Sequence, residues 1–207
     1  MSEIRVEDGI VTGNVTNKED LKNPISRWLV KGFDEAVMSL FSQANPGSVH
    51  EIGCGEGRLC RLIAKEYAGP VQGCDISPVL IAQLQQELTD ERFAFARKSI
   101  YDVVPARDHA DLIICCEVLE HVDEPDRAVE ALRGLGARSY VLSVPREPLW
   151  RVLNVCRLKY LKDLGNTPGH LNHWSKAGFC RFLRGHGFVT ESVLSPYPWT
   201  MVLGHFE

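Results

Sequence analysis

The sequence predicts an α/β fold: a doubly wound, mostly parallel sheet with helices on both faces. Three observations carry this. Between about residues 48 and 145, short apolar strands alternate with segments of helical period. The run "ADLIICCE" is continuously apolar, as expected of a strand covered on both faces in mid-sheet. The glycine-rich turn "EIGCGEGRL" joins the first of these strands to the first of the alternating helices, and right-handed crossovers complete the winding.

The elements follow in order. "NPISRWLVKGFDEAVMSLF" carries apolar residues at Ile25, Trp28, Leu29, Phe33, Val37, Leu40 and Phe41, a helical stripe with proline near its first turn. "NPGS" breaks the chain. "SVHEIG" is a strand and "GRLCRLIAKEY" a helix. "PVQGCD" is a strand, and "SPVLIAQLQQEL" a helix capped by Ser77 with Pro78 in its first turn. "RFAFAR" and "ADLIICCE" are strands, "EPDRAVEALRGL" a helix and "SYVLSVP" a strand. The rhythm then changes. "REPLWRVLNVCRLKYLKDL" reads as one helix, followed by the loop "GNTPGHLNHWS" and the helix "SKAGFCRFLRGHGF". "FVTESVL" and "WTMVLGHF", separated by "SPYP", form an antiparallel hairpin at the sheet edge. Residues 1–207 are read as a single domain, with an N-terminal extension and helix over 1–45 and a cap insertion over 146–175. Residues 1–20 are expected to be only partly ordered.

Composition limits the function classes. The 207 residues suit one full core, and 44% hydrophobic with 24% charged residues is ordinary for a soluble domain. A net charge of −4 argues against a generally basic nucleic-acid binder. No basic, then apolar, leader stands at the start, and no apolar run approaches a membrane span. The seven cysteines form no C-x-x-C pair and lie mostly in apolar runs, which points to free thiols in a reducing cytoplasm. Cys115 and Cys116 are adjacent on a strand, so their side chains face opposite ways and do not form a redox pair.

The glycine turn carries the first functional signal. Gly53, Gly55 and Gly57 allow a sharp turn and close approach to a ligand, and the following helix aims its free N–H groups there. Asp75 ends the next strand, about 20 residues on, where an acid can accept hydrogen bonds from both ribose hydroxyls of an adenosine cofactor. The spacing is G-x-G-x-G rather than the G-x-G-x-x-G of most dinucleotide folds. Glu51 and Glu56 would repel a pyrophosphate and favour an ammonium and a sulfonium. The combination suggests S-adenosylmethionine (SAM) rather than NAD.

At this point "EIGCGEGRL", "GCDIS" and "ICCEVLEHVDEP" together resemble the class I SAM-dependent methyltransferases, and most closely the small-molecule branch that includes the ubiquinone-biosynthesis O-methyltransferases. The resemblance covers about residues 48–146. It implies a Rossmann-like sheet of seven strands with a helical cap, and methyl transfer from SAM to an oxygen, nitrogen or carbon of a small molecule. It implies that Glu51, Gly53, Cys54 and Gly55 hold the methionine part, with Gly57 shaping the turn. Asp75 would hold the ribose, with Ile76 beside the adenine and Ser99 and Ile100 against its ring. Cys116 and Glu117 would face the methionine moiety, with His121 nearby. Two features depart from the pattern. "LRGLGARSY" replaces the usual glycine-rich turn before the fifth sheet strand, and the resemblance says little about 147–175. A SAM-binding sensor or partner subunit without turnover, and an NAD-binding oxidoreductase, are the alternatives from other classes.

Other residues carry paired readings. His121 is either a base near the methyl group or a residue that orders its loop. Asp111 is either a catalytic acid or a strand-start residue bonding local backbone. Arg146, Arg151, Arg157, Lys159 and Lys162 are either an anion receptor or a solvated helix face. In "GNTPGHLNHWS", His173 is the candidate general base, Asn172 and Trp174 candidate substrate contacts, and Arg27 on the N-terminal helix a further one. The competing reading is a structural knot in which these groups satisfy backbone before Ser175 caps the next helix. His170 and His173 would need a third ligand to hold a metal, and the neighbouring sequence offers no convincing acid or cysteine, so no metal site is expected.

Overall fold

The computed structural model describes residues 24–207 apart from 157 and 159, together with the backbone of 6–7 and 10–11. The rest of the stretch expected to be partly ordered, and the cations Arg157 and Lys159, lie outside the described residues. Val6–Glu7 (β1) and Ile10–Val11 (β2) pair antiparallel by themselves.

The main sheet has seven strands: β3 (Val49–Ile52), β4 (Val71–Asp75), β5 (Phe93–Arg97), β6 (Leu112–Cys116), β7 (Ser139–Pro145), β8 (Phe188–Leu194) and β9 (Trp199–Phe206). Their spatial order is β5-β4-β3-β6-β7-β9-β8. The first five are parallel, and β9 runs antiparallel between β7 and the edge strand β8. The order reverses at β3, whose neighbours are β4 and β6. The loops leaving β3 and β6 therefore part around a crevice at the carboxyl edge.

Helices cover both faces because the central strands are apolar throughout; β3, β6 and β7 are buried at every residue. Alternation along β6 sends Leu112, Ile114 and Cys116 to one core and Ile113 and Cys115 to the other. The first core packs under α1 (Pro24–Ala44), α2 (Arg58–Ile63) and α3 (Pro78–Glu87). The second packs under α5 (Pro125–Gly134) and α7 (Lys176–Gly185). The expected caps are present: Ser77 Oγ accepts from Leu80 N at 3.2 Å, and Ser175 Oγ from Gly178 N at 3.1 Å. A short helix, α4 (Pro105–Asp108), comes in addition to the expected elements.

One expectation fails. The helix read over 146–164 runs only from Leu149 to Cys156 (α6). Beyond it Leu158, Tyr160 and Leu164 hold positive φ of 56°, 51° and 50°, which no continuous helix tolerates. The chain instead doubles back. Gly165, at φ 79°, lies so close that an added Cβ would sit 2.3 Å from the Arg151 carbonyl oxygen. Buried Asn154 fastens the return, its Nδ2 donating to Gly165 O at 2.9 Å and Thr167 Oγ1 at 3.1 Å. Among the described residues no helix is long and apolar enough to cross a membrane.

Candidate active site

The glycine loop is held down at its base by β4. Gly53 N and Cys54 N both donate to Cys74 O, at 2.8 and 2.9 Å, and Gly57 N donates to Cys54 O at 2.8 Å. Gly53 combines φ 77° with a Cβ position 2.3 Å from Val118 Cγ2, so glycine is needed where this loop meets the one leaving β6. At Gly55 nothing lies within 4 Å of the point where a Cβ would stand, so the middle of the loop faces open space.

Asp75 stands across from that opening. One carboxylate oxygen accepts from Gly55 N and the other from Ser77 N, each at 2.9 Å. The acid thus ties the glycine loop to the start of α3. An open glycine bend and an acid at the next strand end fit an adenosine cofactor that carries an amino-acid tail.

Glu51 lies behind the loop rather than on its surface. It is 4% exposed, and its Oε2 accepts from Cys60 N at 3.2 Å and Cys60 Sγ at 2.9 Å. Burial raises its carboxyl to a pKa of about 7. Cys54 is buried beside it, and burial raises its thiol pKa well above the ordinary value. Glu56 is exposed.

The remaining cofactor candidates gather at the same edge. Ile76 follows Asp75, and its carbonyl oxygen accepts from Arg97 Nε at 3.1 Å. Ser99 caps the turn at Ile100–Asp102, with its Oγ accepting from Tyr101 N, and Ile100 is buried. Cys116 ends β6. Glu117 follows it at φ 61°, an unusual conformation for a non-glycine residue. Its carboxylate accepts from Ser143 Oγ at 3.0 Å and from Trp199 Nε1 at 2.6 Å.

Most of the candidates for the acceptor side make contacts within the chain. Asn172 does not offer its amide outward: Nδ2 donates to Leu119 O at 3.1 Å and Val122 O at 2.6 Å. Leu171 N and Asn172 N also donate to Glu120 O, so the loop is stitched to the turn after β6. The Trp174 ring packs on Phe179 and Phe182 at 5.7 and 5.2 Å between centroids, where the Ser175 cap directs the chain into α7. These are contacts of the kind the structural-knot reading expects. His173 Nε2 lies 2.8 Å from Asn166 Oδ1, and burial lowers the histidine's pKa. His121 Nδ1 lies 2.9 Å from Gly169 O. Arg27 is on the exposed side of α1. Asp111 Oδ2 accepts from Gly47 N at 2.8 Å, the local backbone role.

A cluster of aromatic rings that the sequence reading does not anticipate lies beside Glu117. Trp150 of α6, Trp199 of β9 and Phe33 of α1 form a chain of rings, with centroids 5.8 and 5.0 Å apart, that reaches Glu117 through the Trp199 indole. Trp150 also stacks on His170 at 5.9 Å and donates from Nε1 to Thr167 Oγ1 at 2.8 Å. In sequence Phe33 reads as part of the helical stripe, and the antiparallel return of β9 brings the three rings together.

Comparisons with known proteins agree with this geometry. A family model described as a methyltransferase domain matches residues 26–193. The ubiquinone biosynthesis O-methyltransferase of Aeromonas salmonicida is 27% identical over 160 residues, covering 69% of this chain and 63% of that protein. The chain thus spans less than two thirds of that curated relative's length. Among solved structures, the methyltransferase domain of bacterial CtHen1 superposes with a TM-score of 0.68 at 18% identity, covering 86% of this chain and 100% of that one. Magnesium protoporphyrin IX methyltransferase from Synechocystis, solved with bound S-adenosylhomocysteine, gives 0.65 at 22% identity, covering 89% and 88%. At these identities the structures speak for the fold.

Proposed function

Taking as premise that the chain belongs to the methyltransferase-domain family, we propose that it transfers a methyl group from SAM to a small-molecule acceptor and releases S-adenosylhomocysteine. The observation that carries this reading is the Asp75 carboxylate, bonded to Ser77 N–H and to Gly55 N–H of the loop leaving β3, the strand where the order reverses. When bound, SAM supplies an electrophilic methyl group on a sulfonium. Gly53, Cys54 and Gly55 offer backbone to its methionine part, with Gly57 shaping the bend. Asp75 accepts from the ribose, and Ile76, Ser99 and Ile100 border the adenine. Cys116 and Glu117 close the methionine end, and buried Glu51 contributes negative charge.

The chain's further task is to place an acceptor and keep water out. α6 and the loop returning from it cap the carboxyl edge, fastened where Glu147 N donates to Trp174 O at 2.9 Å. Half-buried Trp150, backed by the buried Trp199 and Phe33 rings, gives that edge an apolar surface, which suits a small, partly apolar acceptor. His173 is the candidate base for an acceptor that must lose a proton. The residues 146–175 act as the cap of a single domain.

Calorimetry with S-adenosylhomocysteine and with NAD is the test. Binding of the first and weak or no binding of the second is expected, and the reverse pattern overturns the reading. Asp75→Ala should weaken S-adenosylhomocysteine binding by roughly 1.5–3 kcal/mol, the range for hydrogen bonds to a charged group. It should also lower thermal stability, because two backbone donors lose their acceptor.

A further inference from the structure

We propose that Glu51 makes the chain favour SAM over S-adenosylhomocysteine by exchanging a proton with solvent: it ionises when the sulfonium form binds and is neutral again once the sulfonium charge is lost. The inference rests on the SAM reading above and concerns how the site distinguishes its cofactor from the product.

The geometry isolates this carboxyl. Glu51 lies on β3 at the base of the glycine loop, and it is buried. Its register partners on the neighbouring strands are Gly73 and Ile114, whose side chains offer neither charge nor hydrogen bond. Oε2 accepts from Cys60 N at 3.2 Å and from Cys60 Sγ at 2.9 Å. Oε1 has no hydrogen-bond partner among the described residues, so donors support only half of the anion. A buried carboxylate supported so poorly favours its neutral form. Burial accordingly lifts the Glu51 carboxyl to about 7.

The surrounding charges make the ionised form depend on a cation from outside. The titratable and charged groups close to Glu51 are Arg58 and Cys60 on α2, Cys54 in the glycine loop, Asp75 at the end of β4 and Cys115 on β6. Burial keeps the three thiols protonated. Arg58 is already paired with Asp34 of α1. An ionised Glu51 therefore adds to Asp34 and Asp75 around one guanidinium. SAM and S-adenosylhomocysteine share the same amino-acid tail and differ by one positive charge, on sulfur. The sulfonium offsets the additional anion, and the thioether does not. Once transfer has removed that charge, Glu51 takes a proton from solvent, and the product is held less tightly than SAM. The sign of the pH dependence follows. SAM binding releases a proton, so its affinity rises with pH up to about 7, where Glu51 of the free chain titrates, and levels off above.

The experiment is calorimetry of SAM and of S-adenosylhomocysteine binding in two buffers of different ionisation enthalpy, which counts the protons released. At pH 7 SAM should release up to about half a proton per chain, the part of a group titrating near 7 that is still protonated there. S-adenosylhomocysteine should release less. The ratio of SAM to S-adenosylhomocysteine affinity should rise about threefold or more from pH 6 to pH 8. Glu51→Gln keeps an acceptor for Cys60 N. It should abolish the difference in proton release and make the ratio independent of pH. Thermal unfolding reports on folding. Should Glu51→Gln not fold, Cys60→Ala decides: loss of the thiol donor favours the neutral acid and should move proton release to higher pH. Equal proton release with both cofactors in wild type overturns the proposal. So does a folded Glu51→Gln that keeps the wild-type dependence of the ratio on pH, or proton release left unmoved by Cys60→Ala. Failure of both cofactors to bind would overturn the SAM reading as well, which separates the two failures.

Discussion

Glu51 places a titration at the base of the glycine loop. Its carboxyl is raised from an ordinary 4.5 to about 7, chiefly by burial. Between those values the folded chain keeps a proton that the unfolded chain has lost, so stability falls as pH rises through this window and levels off above it. The shift corresponds to an upper limit of about 3 kcal/mol. Glu51→Gln removes the charge but keeps an acceptor for Cys60 N. Its melting temperature should exceed wild type at pH 8 and approach it near pH 5. A loss of equal size at both values would show that the carboxylate serves packing alone. His173 poses the complementary question of chemistry. His173→Ala should lower turnover by about 10²–10⁴-fold if the residue is the base. If it only positions the acceptor, the loss should be smaller and fall mainly in the acceptor KM. Unchanged turnover and KM would place it outside the reaction. The residues at this end of the crevice are legible in the sequence because local spacing defines them: Gly53, Gly55 and Gly57 mark a bend, and Asp75 ends the next strand. Glu51 is legible as an acid but not as a buried one, since that depends on how α2 packs over it.

At the scale of elements, the strands and their capped helices follow from alternation and from Ser77, Pro78 and Ser175. The hairpin β8–β9 follows equally from its turn residues. The helix over 146–164 does not. Its apolar residues have helical period, yet Val152, Val155, Leu158, Leu161 and Leu164 are exposed. The buried residue of α6 is Asn154, which bonds the returning loop. Periodicity cannot reveal this, because α6 meets its own continuation through Asn154 and reaches the sheet through Trp150. The loop's polar residues suggest a substrate role for the same reason: their acceptors, Leu119 O and Val122 O, are some 50 residues away in sequence. If Asn172 is the staple between loop and turn, Asn172→Ala should cost about 1–3 kcal/mol for two carbonyls left without a donor. Asn172→Asp should cost more, because a carboxylate would face those carbonyls. Thermal melts of both variants check the order. Equal stability of Asn172→Asp and wild type would remove Asn172 from that role.

Across the whole molecule, cover is distributed unevenly, and the distribution divides the domain into a scaffold and a working edge. Every residue of β3, β6 and β7 is buried, whereas α6 buries one residue in eight. Strands so covered open only when the whole sheet does, and elements with few buried apolar contacts open at lower free energy. Amide exchange should therefore be slowest in β3, β6 and β7 and faster by about 10²-fold or more in α6 and the turn at Leu161–Asp163, a gap of roughly 3 kcal/mol. Leu171 and Asn172 should exchange slowly, since both amides donate to Glu120 O inside the loop. They would form a fixed hinge beyond which the cap moves. S-adenosylhomocysteine should slow exchange over Gly53–Gly57 and the first turn of α2 while leaving α6 unchanged, because the glycine loop and α6 are separate elements of the edge. Exchange in α6 as slow as in β7 would mean that the cap belongs to the scaffold, and that an acceptor enters a preformed pocket without any opening of this helix.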